Sequence, residues 1–245
     1  MGILNGMDMS INITEGFIFN DFDTRKNGMY LIYRSAPTPS EKQKIESVPF
    51  AHGVYDFSNI LGERIFDYRT ISYTFHIHEY EYPRRKHIQT VLENKLMNAH
   101  VQRLEDTHDD NYYYLGKCVS VNVEDDHLFG RLIITVEFDC YPFKISQSAE
   151  GSDVWDTFNF ELDVMQDVDY QIGGTETITL INPGTPSVSP EVTASSEMTV
   201  QFENQLYTFP AGTSKNEALR LRSGENTLVI TGNGIISFTF YKELM

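Results

Sequence analysis

The chain has 245 residues, 40% of them apolar, with 16 Phe, 14 Tyr and a formal net charge of −16. That length buries a core without metal or disulfide staples, and the wealth of aromatics favours strands. So acidic a chain gains nothing from counterion release on a phosphate backbone and is repelled by anionic lipid, which excludes specific nucleic-acid binding and membrane association as its main task.

The opening residues MGILNGMDMSINITEGF lack the basic-then-apolar order of a signal peptide. No apolar run reaches bilayer-spanning length. In chain order, Phe17–Phe19 and Met29–Tyr33 read as short strands, with a polar turn over Asp23–Gly28. Ser35–Ser47, polar and holding two prolines, reads as a loop or an excursion at a sheet edge. Val48–Leu61 continues as irregular chain with short strand pieces. Ile71, Tyr73, Phe75 and Ile77 then alternate with Ser72, Thr74, His76 and His78, the period of a strand with one wet face.

One helix follows. Pro83 suits a first helical position. Ile88, Val91, Leu92, Leu96 and Ala99 form its apolar stripe, with Arg85, Lys86, Gln89, Glu93 and Asn94 on the other side. Val119, Val121 and Val123, then Leu132, Ile134, Val136 and Phe138, give two strands of a hairpin around a turn at Asp125–Gly130. Tyr141-Pro142-Phe143 ends the unit, because proline cannot continue a central strand.

Ser146–Asp153, small and polar, reads as a linker and hinge. After it no helical stripe appears. Strand candidates are Phe158/Phe160/Leu162, Ile178/Leu180, Met198/Val200/Phe202, Tyr207/Phe209, Leu219/Leu221, Leu228/Ile230 and Ile236/Phe238/Phe240. Turns fall at Gly173-Gly174, Asn182-Pro183-Gly184, Asn204-Gln205, Pro210-Ala211-Gly212, Ser223–Asn226 and Gly232-Asn233-Gly234. Short strands at this spacing predict a sandwich or jelly roll. The expected organisation is therefore an α+β domain over residues 1–145, a β-sandwich or split-barrel-like sheet with one helix and a hairpin, then an all-β domain over residues 146–245.

Few residues invite a chemical reading. His76 and His78 share a strand face at metal-binding reach, but spacing supplies no third ligand, where a metal site takes three or four. Solvated or inter-subunit histidines are the expectation. His100, His108, Asp109 and Asp110 form a polar cluster whose place between helix and strand suits a loop. Tyr112-Tyr113-Tyr114 is either a stacking platform or an ordinary strand with aromatics on both faces, and the strand is preferred. Trp155 is expected to seal a junction or an interface. Cys118 and Cys140 fall on opposite alternation faces of neighbouring strands and are expected as free thiols of a reducing cytoplasm. No hydrolase, nucleotide-loop or zinc motif occurs. No catalytic, cofactor-binding or metal residue is assigned, and an enzyme is not expected.

The stretch Gly28–Ile77 resembles the N-terminal domain of siphophage distal tail proteins. The pattern is a Val48-Pro49 step, a turn at Gly53, the aromatic-acid pair Tyr55-Asp56, and a strand with Arg69, Ile71 and Phe75. The later order of helix, YYYLGKCVSVNVEDD and FDCYPF fits as well, and NPGTPSVSPEVT with LRLRSGENTLVITGNGIISFTFY resembles the family's galectin-like or carbohydrate-module-like C-terminal sandwich. One departure is Phe50, where many relatives carry glycine after Val-Pro. The resemblance implies a structural virion protein at the distal tip of the tail, assembled in the bacterial cytoplasm. It implies a homohexameric ring that joins the tail tube protein to a tail-associated hub or lysin protein. In some members it also holds receptor-binding proteins, and DNA passes the central channel. The rival expectation is a carbohydrate-binding module that helps attachment to the host cell wall.

Overall fold

Alternating apolar residues and one short helix build the first half of the chain. In the computed structural model, which describes residues 12–47, 49–50, 52–58, 62–152 and 164–245, the order begins β1 (Phe17–Phe19), β2 (Phe22–Asp23), a 3-10 turn (Arg25–Asn27) and β3 (Tyr30–Ser35). It continues with β4 (Ile45–Glu46), β5 (Tyr55–Asp56), β6 (Arg69–His78), α1 (Tyr82–Met97), β7 (Gln102–Asp106), β8 (Tyr112–Asp126), β9 (Arg131–Cys140) and β10 (Lys144–Ser146). Contacts divide the chain into two compact units, Met1–Lys144 with Met245, and Ile145–Leu244.

The first unit is an antiparallel sheet in the order β2-β1-β7-β8-β9-β6-β3. Ile71, Tyr73, Phe75 and Ile77 of β6 are wholly buried, as the alternation requires, and so are Ile134, Val136 and Phe138 of β9. The sheet curls onto itself. The Phe17 ring of β1 lies 4.9 Å from Tyr73 and 5.1 Å from Phe138, although β1 and β6 are far apart in strand order. The Phe17–Phe138 pair is edge-to-face, and such pairs add ~0.5–1.5 kcal/mol to simple burial. Helix α1 covers the core with Ile88, Leu92 and Leu96.

Two expectations fail here for definite reasons. Arg85, placed on the polar side of the helix, is buried: its Nε donates to Asp125 of β8 at 2.8 Å, and Nη1 donates to the carbonyls of Glu79 and Tyr80. A guanidinium enters a protein interior when every donor finds an acceptor. The cysteines do not lie on opposite faces. The β8–β9 register slips between Cys118 and Ser120, so Val119 is an extra residue in β8. The bulge turns Cys118 inward beside Phe138, and both cysteines enter the same core, still as free thiols.

In the second unit the order is β11 (Asp169–Asn182), β12 (Glu191–Ala194), β13 (Met198–Phe202), β14 (Gln205–Phe209), β15 (Gly212–Lys215), β16 (Gly224–Thr239) and β17 (Glu243–Leu244). Neither Gly173-Gly174 nor Gly232-Asn233-Gly234 is a turn. Both lie mid-strand, paired to each other as β11 and β16 run antiparallel along their whole length. The two strands expected around Gly232 are therefore one, β16. It pairs with β13 over Leu228–Thr231 and with β12 over Ile236–Thr239, so its second neighbour changes at the glycines. Gly234 has φ +129°, and a Cβ there would stand 2.2 Å from Ser195 Oγ, so the partner change needs glycine.

Inward residues of β16 alternate without a break. Leu228, Ile230, Ile236 and Phe238 join Val192, Val200, Leu180 and Phe209 in one core. Leu219 and Leu221, expected as a strand, are fully buried but bridge only once, Leu221 to Val188. The β13–β14 turn is Glu203-Asn204, one residue earlier than expected, with Glu203 at φ +54°. The start of the expected linker is tied into this unit: Ser146 N–H donates to Lys242 O and Glu150 N–H to Phe240 O. The strand expected at Phe158/Phe160/Leu162 and the residues Trp155 and Val48 lie outside the described residues.

Candidate functional site

Two features of the first unit stand out from an ordinary core and surface. One is the arm between β3 and β6. Its β4–β5 ribbon pairs Ile45 with Asp56 and Glu46 with Tyr55 in a sheet of its own. Ile45, Phe50, Val54, Tyr55, Phe57 and Tyr68 are all exposed, and the Tyr55 and Phe57 rings stack at 6.4 Å. An isolated two-stranded ribbon is marginally stable in water, and a run of bare apolar side chains marks an interaction surface. Phe50 is fully exposed at φ +67°, so this chain keeps the left-handed turn that glycine makes without strain. The neighbouring edge strand β3 adds exposed Ile32 and Tyr33 beside a bulge in its pairing with β6. Edge strands with apolar side chains are templates for a further chain.

The other feature is a charge-paired cluster where the curled sheet meets itself. Asp106, buried at the end of β7, accepts from Arg34 Nε of β3 at 2.6 Å, from Tyr73 OH of β6 at 2.6 Å and from the His108 backbone N–H. Asp109 accepts from Arg34 Nη2 at 3.0 Å, Tyr114 OH at 3.1 Å and Lys144 Nζ at 2.5 Å. Burial alone would raise the pKa of Asp109, but Lys144, Tyr114 and Arg34 hold it below the usual carboxylate range. Burial together with Asp106 pushes the Tyr73 phenol upward, and burial with Asp109 does the same to Tyr114. Every member holds another, so the arrangement fixes the seam of the sheet and has the character of a structural network.

The sequence-level candidates fall into place around these features. His108 touches Asp106 through Nδ1 at 3.3 Å, and Asp109 belongs to the cluster; His100 is exposed beyond the helix. His76 and His78 share the wet face of β6 with ring centroids 6.4 Å apart. Burial, Arg131 and His78 lower the pKa of His76. Among the described residues no group of three His, Cys, Asp or Glu side chains is arranged for a metal. Tyr113 and Tyr114 are buried, covered by Arg103 and Arg69 at 4.1 and 5.2 Å, so the tyrosine run is strand and not an open platform. Desolvation raises the thiol of Cys118 to about 11 and that of Cys140 to about 12. No helix among the described residues is long and apolar enough to cross a membrane. The arm had one signal in sequence, aromatics in a stretch without strand or helix period; of the cluster only His108 and Asp109 showed, as a polar loop, because Arg34, Tyr73 and Lys144 are remote in the chain.

No family model matches the chain, and no curated protein does. Among solved structures it is similar to the crystal structure of the SPP1 Dit protein, described as a paradigm of the hub adsorption apparatus in phages infecting Gram-positive bacteria. That match has a TM-score of 0.63 at 12% identity and covers 94% of this chain and 99% of that one. Two structures of the phage p2 baseplate in its activated conformation, with Sr and with Ca, match at TM-scores of 0.38 and 0.39 and identities of 9% and 10%. They cover 91% and 90% of this chain and 92% of each matched chain. Over 94% of its length, this chain has a fold similar to that of the SPP1 Dit protein.

Proposed function

We propose that the chain is a structural, non-enzymatic hub protein of a siphophage tail tip. In this reading it forms a hexameric ring through its first unit, joins the tail tube to the adhesion device and leaves a channel for DNA. The observation that carries it is the fold shared with SPP1 Dit over 94% of this chain. The exposed arm and the β3 edge support it. A ring of identical subunits needs two different complementary patches on each copy, and the first unit offers an apolar arm and, among the described residues, a sheet edge at β3 with exposed Ile32 and Tyr33. The net charge of −16 suits a conduit through which DNA passes without being retained.

The tail tube protein, a tail-associated hub or lysin protein and receptor-binding proteins are the partners this reading implies, with the virion tail tip as its location. The first unit then serves as the ring domain and the second as a galectin-like sandwich. The test is native mass of the purified chain across a concentration series. Hexamers, or paired hexamers, are expected, and replacing Tyr55 and Phe57 by serine is expected to reduce them to monomer. A monomer at every concentration that also fails to close into rings when mixed with tail tubes would overturn the reading.

A further inference from the structure

We propose that the tip of the first unit, where the β8–β9 turn meets the entry of α1, seats the aromatic arm of a second copy of this chain. The seat presupposes the ring reading and names what the arm of one copy rests on. Four large apolar side chains crowd the tip, Tyr80 and Tyr82 at the entry of α1 and Leu128 and Phe129 in the turn. The least open of them, Tyr82, is 58% exposed. They are held in advance. The Tyr80 ring lies on Gly130, where a Cβ would come within 2.4 Å of it, and the Arg131 guanidinium lies 5.1 Å over the Phe129 ring. Arg85, buried below, donates to the Glu79 and Tyr80 carbonyls and to Asp125, which ties the helix entry to the hairpin. Rings fixed in this way lose little freedom on binding, and aromatics beside arginine are common anchors of an interface.

Charge selects the occupant. Copies of a chain with net charge −16 repel one another, so they meet where that sign is relieved. Within Glu79–Lys86 and Asp125–Arg131, the acids Glu79, Asp125 and Asp126 are each paired and largely turned in, which leaves Glu81 as the one open acid. Arg84, by contrast, is 45% exposed over a Glu79 that is 4% exposed. Lys86 stands 5.5 Å over the Tyr82 ring and has no carboxylate partner among the described residues. The arm is the matching surface. Its stacked Tyr55 and Phe57 bracket Asp56, an exposed carboxylate that accepts from the Ser58 N–H and pairs with no cation among the described residues. Rings around a carboxylate complement rings beside an ammonium and a guanidinium.

Placement makes the contact one between copies. The arm joins β6 at its Arg69 end, and the tip lies past His78 at the other end of this 10-residue strand, about 30 Å away. Both are exposed in the same chain, and a contact between unlike patches is the heterologous kind that a ring requires. The tip also continues the β3 edge, because the Tyr30 ring of β3 lies 6.2 Å from that of His78, two residues before Tyr80. Edge and tip form one seat.

Cross-linking of the full chain tests it. Val54→Cys, on the arm beside Tyr55, and Leu128→Cys are made separately, mixed and oxidised; the native cysteines are both buried and give no background. Disulfide-linked dimers are expected in the mixture at on the order of tenfold the yield of either variant alone. By native mass, Lys86→Glu is expected to cut the ring fraction on the order of tenfold at fixed concentration, and adding Asp56→Lys to restore it. Rings that persist in Lys86→Glu and in Phe129→Ser, with no cross-link in the mixture, would overturn the seat and leave the hub reading standing. Loss of rings in Lys86→Glu without rescue by Asp56→Lys would also overturn it, since Lys86 would then face another group. A native chain that stays monomeric even with tail tubes would bring down seat and hub together. Binding of the native chain to vesicles of phosphatidylglycerol and phosphatidylcholine, lost in Phe129→Ser while rings persist, would assign the tip to lipid instead.

Discussion

At the residue scale the structure turns on small features. Gly116 of β8 pairs with Cys140, and a Cβ at Gly116 would sit 2.5 Å from the Cys140 sulfur and 3.1 Å from the Asp139 carbonyl. Nothing there has room to give, so Gly116→Ala is expected to cost ~1–3 kcal/mol, the usual penalty of an overpacked core, read as a fall in the denaturation midpoint. The same packing keeps the two thiols inert. With desolvation holding them at about 11 and about 12, neither is expected to react with a maleimide at neutral pH until denaturant opens the core. Fast labelling of the native protein would contradict the burial. Phe50 is the opposite case, an exposed ring on a backbone that costs about 1 kcal/mol or more to hold. Phe50→Gly is expected to leave the isolated chain as stable or slightly more so while weakening self-assembly. Loss of stability with assembly intact would mean that the ring packs within the chain.

At the element scale, sequence patterns read well where one face is dry and badly where geometry departs from a regular period. Strand β6 was legible because its core face never slips: four apolar residues alternate and all four are buried. Strand β8 was not, since a single extra residue at Val119 reverses which side chains point inward, and a bulge leaves no mark in composition. Gly173-Gly174 and Gly232-Asn233-Gly234 read as turns, yet they face each other mid-strand where β16 changes its second neighbour, with Gly174, Gly232 and Gly234 at positive φ. Helix α1 shows the same limit. Ile88, Leu92 and Leu96 were legible from their stripe, but Arg85 was assigned to solvent because its acceptors, Asp125 and two carbonyls, lie outside the helix. Replacing Arg85 by leucine strands the Asp125 carboxylate, the buried Glu79 carbonyl and the half-buried Tyr80 carbonyl. The expected loss is ~3 kcal/mol, as for a broken buried ion pair, with the α1 and β8–β9 tip amides losing protection before those of β6.

At the scale of the whole first unit, closure depends on a seam between residues that no sequence period connects. Arg34, Tyr73, Asp106, Asp109, Tyr114 and Lys144 come from five places in the chain, which is why none of the network was legible beyond Asp109 and His108 as a polar loop. Its electrostatics make a test in acid. Asp109 has a folded pKa below its ordinary value because Lys144, Tyr114 and Arg34 outweigh burial, and Asp23 is lowered likewise by Arg25 against its own burial. A carboxyl whose folded pKa is depressed stabilises the native state fully above its unfolded pKa of about 3.9. That contribution is lost as pH falls through the folded value below it. The thermal midpoint is therefore expected to hold from neutrality down to about pH 4 and then to drop. Asp109→Asn should be less stable at neutral pH and should flatten that acid limb, because the group whose protonation drives part of it is gone. Equal slopes in the two proteins below pH 4 would place the acid sensitivity elsewhere, with Asp23 and Arg25 the next pair to break.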